Sequence, residues 1–317
     1  MAARVGQGTA AAVLTATVAR RYYLEGKSKV DIADEFRLSR FKVARLIEAA
    51  RASGMVRIQL DSRGDVDVEL SSELQAAFRL RHCVVLDDTG AELGDLRRRV
   101  GRAAGDLLSE IVDESDVLGL AWARSLMEMR HWLVGLPPCT VVQLTGALSR
   151  PDVDGTSIDL VRDVARVGGG PAFFFHAPMI LPDAATTQAM RTQPEIARAI
   201  ARFPTVTKAV VGVGLWQPTY STVVDALPEQ EWRAMYAQGV RADLSGVQLD
   251  ADGVAVTTAL TPRTIGIDAT RLHGIPEVIG IVYDEVKAPA ARAGILGGYL
   301  NGLVTHSALA RTLLAIR

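Results

Sequence analysis

The sequence predicts a two-part α/β chain, in which a short all-α N-terminal unit precedes a large domain built on a parallel sheet. Three observations carry this. The first sixty residues show helical periodicity interrupted at Gly26 and again at Arg37-Leu38. From about Val66 short apolar runs alternate with helical stretches, as when crossover helices bury strands on both faces. The charge divides at the same place. Residues 1–60 hold eleven Lys+Arg against five Asp+Glu (+6), and residues 61–317 hold 24 against 31 (-7), within a net charge of -1. A basic end on an acidic body suits a chain that meets a phosphate backbone at one end.

The 317 residues, 49% hydrophobic and 22% charged, suffice for two domains with a sizeable core and exclude a disordered or fibrous chain. No apolar run reaches the ~18 residues of a membrane-spanning helix. The start, MAARVGQGTAAAVLTATVARR, lacks the apolar core and cleavage site of a signal peptide, so a cytoplasmic location is expected. Cys83 and Cys139 fall in predicted strands and are read as buried free thiols without a metal-ligand pattern. No metal, cofactor or catalytic residue is assigned.

In the N-terminal unit (1–60), a first helix runs from about Thr15 to Glu25, and Gly26 ends it. Ser28 and Asp31 form a Ser-x-x-Asp start for a second helix reaching about Phe36. After the turn Arg37-Leu38, Ser39 caps a third helix that runs to about Ala52. Ile32, Ala33 and Phe36 face inward from the second helix, Leu38 plugs the turn, and Val43, Leu46 and Ile47 face inward from the third. Ala33 is small where two helices cross closely. This order of constrained positions is that of a helix-turn-helix, whose later helix enters the major groove. Arg37 stands where Gly is usual, at a cost of up to about 1 kcal/mol if the turn needs positive φ. Arg40 and Lys42 suit guanine edges or phosphates, and Phe41 suits a thymine methyl. Ser39, Arg45, Ser28 and Lys29 complete the expected DNA surface. Val56, Ile58 and Leu60 alternate with polar residues as a short strand or wing would, and residues 61–66 form a linker.

In the domain at 67–317, strands are expected at His82–Leu86, Val117–Leu120, Thr140–Leu144, Ala172–Phe175, Ala209–Val213, Thr264–Ile267 and Val278–Val282. Parallel sheets bind ligands at the carboxyl ends of their strands. Three such ends carry small or polar loops: Ala121-Trp122-Ala123-Arg124-Ser125-Leu126, Thr145-Gly146-Ala147-Leu148-Ser149 and Gly214-Leu215-Trp216-Gln217. The first leads into a helix N-terminus, an anion site. Together they predict a pocket for a polar ligand.

Seven segments stand in a telling order: KVDIADEFRLSRFKVARLIEAARASGMV, DVLGLAWARSL, VVQLTGAL, GVGLW, ADLSGVQLDADG, TPRTIGIDATRLHGIPEVIGI and KAPAARAGILGGYLNGLVTH. Through them the chain resembles, over roughly residues 15–316, the SorC type of sugar-binding bacterial transcriptional regulators. The resemblance implies a Rossmann-like effector domain similar to sugar-phosphate isomerases and glucosamine-6-phosphate deaminase. It also implies a homotetramer whose operator binding responds to a sugar-type effector. Carried over residue by residue, the pocket would include Gly119, Trp122, Ala123, Arg124, Ser125 and Leu126 in the phosphate cradle. Thr145, Gly146, Ala147 and Gly214 would line it, Asp243 would hold sugar hydroxyls, and Lys287 would supply a cation.

The chain departs from the family pattern in several places. Ala123 stands for Gly, Ser125 for Thr and Ala242 for Gly. Tyr283-Asp284-Glu285 replaces a Gly-rich segment, and His306 replaces an acidic residue. These changes leave open a sugar, a sugar phosphate or an unphosphorylated polyol. They also raise the alternative that Asp284 and Glu285 neutralise Lys287 in a structural ion pair. His176 and Trp216 are each open to a pocket or a structural reading. Against a DNA-binding regulator with double-stranded operator DNA and a small effector as partners stands an isomerase-like enzyme with an appended DNA-binding unit. The sequence offers that enzyme carboxylates but no acid–base motif of fixed spacing.

Overall fold

The computed structural model describes residues 9–56, 65–148 and 155–317. The expected wing strand, but for Val56, and most of the linker lie outside the described residues, as does Ser149. The chain divides into two compact units, Met1–Asp61 and Ser62–Arg317.

The first unit holds three helices: α1 (Thr9–Tyr23), α2 (Lys29–Phe36) and α3 (Arg40–Ala52). Helix α1 begins six residues earlier than the expected Thr15, because the Ala-rich stretch before it is a strong helix former. The Ser28 hydroxyl accepts from Asp31 N–H, and the Asp31 carboxylate accepts from Ser28 N–H, a reciprocal cap for α2. Arg37 adopts the left-handed conformation at φ 51° and ends α2, so the turn keeps its glycine-like geometry without a glycine. Ser39 caps α3 by accepting from Lys42 N–H at 3.2 Å. Val18, Ile32, Ala33, Val43 and Ile47 are buried at the centre of the unit, with Phe36, Leu38 and Leu46 packed around them.

The second unit opens with α4 (Val68–Phe78), β1 (His82–Leu86), α5 (Leu93–Ile111), β2 (Val117–Leu120), α6 (Arg124–Trp132), β3 (Thr140–Gln143), α7 (Ser157–Gly168) and β4 (Ala172–Phe173). There follow α8 (Ala184–Arg191), α9 (Pro194–Ile200), β5 (Lys208–Leu215), α10 (Thr222–Asp225), α11 (Glu229–Ala237), β6 (Ala242–Leu244) and β7 (Val247–Leu249). The chain ends through α12 (Ala269–His273), β8 (Glu277–Ile281), α13 (Ala288–Leu296), β9 (Gly302–His306) and α14 (Ser307–Ala315). The main sheet runs β1-β9-β8-β5-β2-β3-β4, with every pairing parallel. One apolar face packs on α5, α6 and α7, the other on α4, α13 and α14.

Three expectations are corrected. The sheet is not purely parallel, because β6 pairs antiparallel with the end of β5 and β7 pairs antiparallel with β6. Thr264–Ile267 is not a strand and makes only single bridges, Thr264 to Ile180 and Gly266 to Thr145. Strand β9 was not anticipated, yet it lies between β1 and β8. Both cysteines are free, but Cys83 in β1 is only half-buried and Cys139 is buried just ahead of β3 and not in it; burial pushes the Cys83 thiol up to about 12.

Strand order reverses at β2. The chain leaves β2 toward β3 on one side and later returns to β5 on the other, so the loops after β2 and β5 part and leave a crevice at their carboxyl ends.

Candidate functional site

In the first unit, the opening of α3 is an exposed cationic surface. Arg40, Phe41, Lys42 and Arg45 are exposed, as are Ser28, Lys29 and Ser39. Phe41 is 72% exposed, an unusual cost for a phenyl ring that makes no core contact. The Arg40 guanidinium lies 5.5 Å from its ring centre. Elsewhere in the unit, Arg21 pairs with Glu25 and Glu35, and Lys27 with Glu35 at 2.7 Å. Arg40, Lys42 and Arg45 have no carboxylate partner among the described residues. The Ser28 hydroxyl is taken up by Asp31, whereas Lys29 lies 5.7 Å from the Tyr22 ring centre.

In the second unit, a cleft of about 560 Å³, its open mouth included, lies at the carboxyl ends of β2, β5 and β8. The predicted Trp122, Ala123, Arg124, Ser125, Thr145, Gly214, Asp243 and Lys287 all line it. Four predicted residues do not. Gly119 is inside β2, where the Leu144 side chain packs against its Cα, and Leu126 is fully buried in the core beneath α6. The amides of Gly146 and Ala147 are spent on the carbonyls of Ile265 and Ala177, and Met179 leaves Gly146 no room for a Cβ. These bonds were invisible in sequence because their partners are distant. The sequence reading missed Tyr220, Ser245 and Tyr283, which also line the cleft. The replacement of glycine-like residues by Tyr283 was the signal available for one of them.

Asp243 is 5% exposed, and its Oδ1 accepts from Gly246 N–H at 2.9 Å. Burial pushes its carboxyl up to about 7, partly opposed by that bond and by Lys287. Burial likewise brings the Lys287 ammonium down to about 8. Lys287 Nζ donates to Val213 O at 3.1 Å and lies 5.6 Å from the Tyr283 ring centre. A buried acceptor and a half-buried cation therefore face one cleft, beside the uncapped N-terminus of α6.

The departures are accommodated. Gly212 makes room for the Ala123 side chain, since a Cβ on Gly212 would come within 2.3 Å of Ala123 Cβ. Ser125 Oγ donates to Ile281 O at 3.3 Å. Asp284 accepts from Val286 N–H and Glu285 from Thr312, and neither is within ion-pairing distance of Lys287, although the Asp284 charge favours its ammonium form. His306 Nδ1–H donates to the Asp88 carboxylate, 2.7 Å away, and the ring does not line the cleft. Burial would raise Asp88, but Ser307, His306 and the Ala308 amide hold it down at about 2. Trp216 is fully buried, with Nε1 donating to Trp232 O, and His176 is exposed and paired with Glu195; neither lines the cleft.

No group of His, Cys, Asp and Glu suited to a metal, and no helix long and apolar enough to cross a membrane, occurs among the described residues.

Comparison with known proteins adds to this geometry. A family described as "Putative sugar-binding domain" matches residues 64–315. The chain is 27% identical to the uncharacterized transcriptional regulator YjhU of Escherichia coli K12 over 304 residues, covering 93% of this chain and 92% of YjhU. It is 29% identical to the transcriptional regulator LsrR of Klebsiella pneumoniae over 312 residues, 96% of this chain and 93% of LsrR. Among solved structures, the full-length sorbitol operon regulator SorC from Klebsiella pneumoniae superposes with a TM-score of 0.72 at 21% identity, covering 95% of this chain and 98% of SorC. A domain of a possible sugar-binding transcriptional regulator from Arthrobacter aurescens gives 0.70 at 23% identity, covering 80% of this chain and all of that domain.

Proposed function

From the premise that this chain belongs to the sugar-binding domain family of SorC-type transcriptional regulators, we propose that α3 reads the operator and that the cleft at the ends of β2, β5 and β8 holds the effector that controls it. The observation that carries the effector reading is the meeting of Asp243 and Lys287 in one cleft at the strand-order reversal. Asp243, as a carboxylate, accepts from two sugar hydroxyls. Lys287 and the first turn of α6 attract a phosphate or another electron-rich oxygen. Arg40 and Lys42 contact bases or phosphates, and Arg45 and Lys29 supply further backbone charge.

Control in this reading is a coupling free energy: the effector binds the operator-competent and incompetent states with different affinity, and shifts their populations by that difference. A helix-turn-helix dimer reads two half-sites, so we place the assembly contacts in residues 66–317 and expect a homotetramer in the cytoplasm. The protein catalyses nothing in this reading. Incubation with fructose 6-phosphate, glucitol 6-phosphate and ribose 5-phosphate, followed by NMR, should show no turnover; any product would restore the isomerase-like alternative. The direct test is an operator gel shift with and without these compounds and their unphosphorylated forms. Release or tightening by one of them supports the reading, and indifference to all six removes the cleft from regulation.

A further inference from the structure

Two buried polar atoms in the wall of the cleft have no hydrogen-bond partner among the described residues: Trp122 Nε1 and Ser245 Oγ. Trp122 is 6% and Ser245 7% exposed. Native folds seldom leave such atoms unpaired, and those that do commonly reserve them for water or a ligand.

Ser245 is the more informative of the two. With Gly246 it makes the two-residue turn between β6 and β7, at φ 53° and 94°. A hairpin turn of this kind demands positive φ at both positions, and Asn, Asp or Gly meets that demand better than Ser. The turn therefore explains the backbone but not the serine. The hydroxyl makes no local bond that would stabilise the turn. The turn itself is held firmly from three sides. Gly246 N–H donates to Asp243, Gln248 Nε2 donates to Gly246 O at 2.7 Å, and Met179 Cε sits 2.4 Å from where a Cβ on Gly246 would lie. Ser245 Oγ is thus fixed in the same wall as Asp243.

We propose that Ser245 is a specificity-determining residue of the cleft, whose hydroxyl pairs with a hydroxyl or ring oxygen of a sugar or polyol, while Trp122 Nε1 donates to a second oxygen of the same molecule. This rests on the effector reading above. The chemistry constrains the ligand: an indole N–H only donates, so its partner is an oxygen acceptor, whereas the serine hydroxyl exchanges roles to suit its partner. A site built to pair with a hydroxyl discriminates strongly against the deoxy analogue, because the protein group is then left unpaired.

The test uses the full chain and isothermal titration with six probes: glucitol, fructose and ribose, and their 6-, 6- and 5-phosphates. Ser245→Gly suits the turn and deletes the hydroxyl. The expected result is a melting temperature equal to or above wild type together with an affinity about 10-fold weaker for the probe that wild type binds best. Trp122→Phe keeps an aromatic ring, though a smaller one, and deletes the N–H, and should weaken the same probe by a similar factor. Ser245→Gly binding that probe as wild type does would reduce Ser245 to a turn residue and overturn the inference alone. Wild type binding none of the six would overturn the effector reading, and this inference with it.

Discussion

Replacing Asp243 with asparagine tests whether the carboxylate at the centre of the cleft is held out of water. Its carboxyl titrates at about 7, against 3.8 for the ordinary group, and burial is the main cause. A raised acid pKa means that the folded chain binds more protons than the unfolded chain between those two values. Stability therefore falls as pH rises from 4 to 7, and the whole cost is present above 7. At ~1.4 kcal/mol for each pH unit, the cost is roughly 4 kcal/mol. Asparagine keeps the carbonyl that accepts from Gly246 N–H at 2.9 Å, and it carries no charge at any pH. Asp243→Asn should thus match wild type within about 1 kcal/mol at pH 4.5 and exceed it by up to about 4 kcal/mol at pH 8. Urea unfolding of the second unit, followed by tryptophan fluorescence at both pH values, gives the two differences. The same variant should bind sugars more weakly, so stability and affinity move in opposite directions. An offset equal at pH 4.5 and pH 8 would mean that Asp243 ionises as in water, and would refute the argument.

Four further outcomes are expected. Ligand affinity should be greatest between pH 7 and 8, falling on the acid side as Asp243 protonates and on the alkaline side as Lys287 loses its proton; a flat titration between pH 6 and 9 would contradict this. Lys287→Met should weaken a phosphorylated probe by about 1.5–3 kcal/mol and leave its neutral polyol nearly unaffected; equal losses would rule out a phosphate role. Arg40→Ala and Lys42→Ala should each weaken operator binding, by about 1–3 kcal/mol for a base contact or with a salt slope flatter by roughly one for a phosphate contact; two variants with wild-type affinity would take α3 out of the groove. Asp88→Asn should destabilise the second unit by about 1–3 kcal/mol, because the carboxylate accepts from His306, Ser307 and the Ala308 amide. Asp88 lies below its ordinary value, so this difference should be complete above pH 4 and vanish as pH falls through about 2; a difference unchanged at pH 2 would count against it.

Local sequence carries the elements whose causes are local. Ser28, Asp31 and Ser39 cap helices from within one turn, and the apolar spacing of Ile32, Val43 and Ile47 marks the faces that meet, so the helix-turn-helix was readable residue by residue. His82–Leu86 and Val117–Leu120 were readable as strands because both are short, mostly apolar runs preceded by polar residues. Strand β9 escaped notice because GLVTH follows a glycine-rich turn and becomes a strand through pairing with both β1 and β8, neither of which its local sequence indicates. Thr264–Ile267 failed for the opposite reason: its composition suits a strand, but its bonds go to separate segments as isolated bridges and form no continuous ladder. The cleft depends on the order of strands more than on any motif. Trp122 and Gly214 were nameable from the loops that follow apolar runs, whereas Asp243 and Lys287 were named only through the family resemblance. Their convergence required β2, β5 and β8 to lie side by side, which no single segment encodes. The same limit separates Thr145, which lines the cleft, from Gly146 and Ala147, whose amides bond to Ile265 and Ala177. Chain chemistry states what a group is able to bond, and long-range register decides which groups are already bonded and which are left facing the cleft.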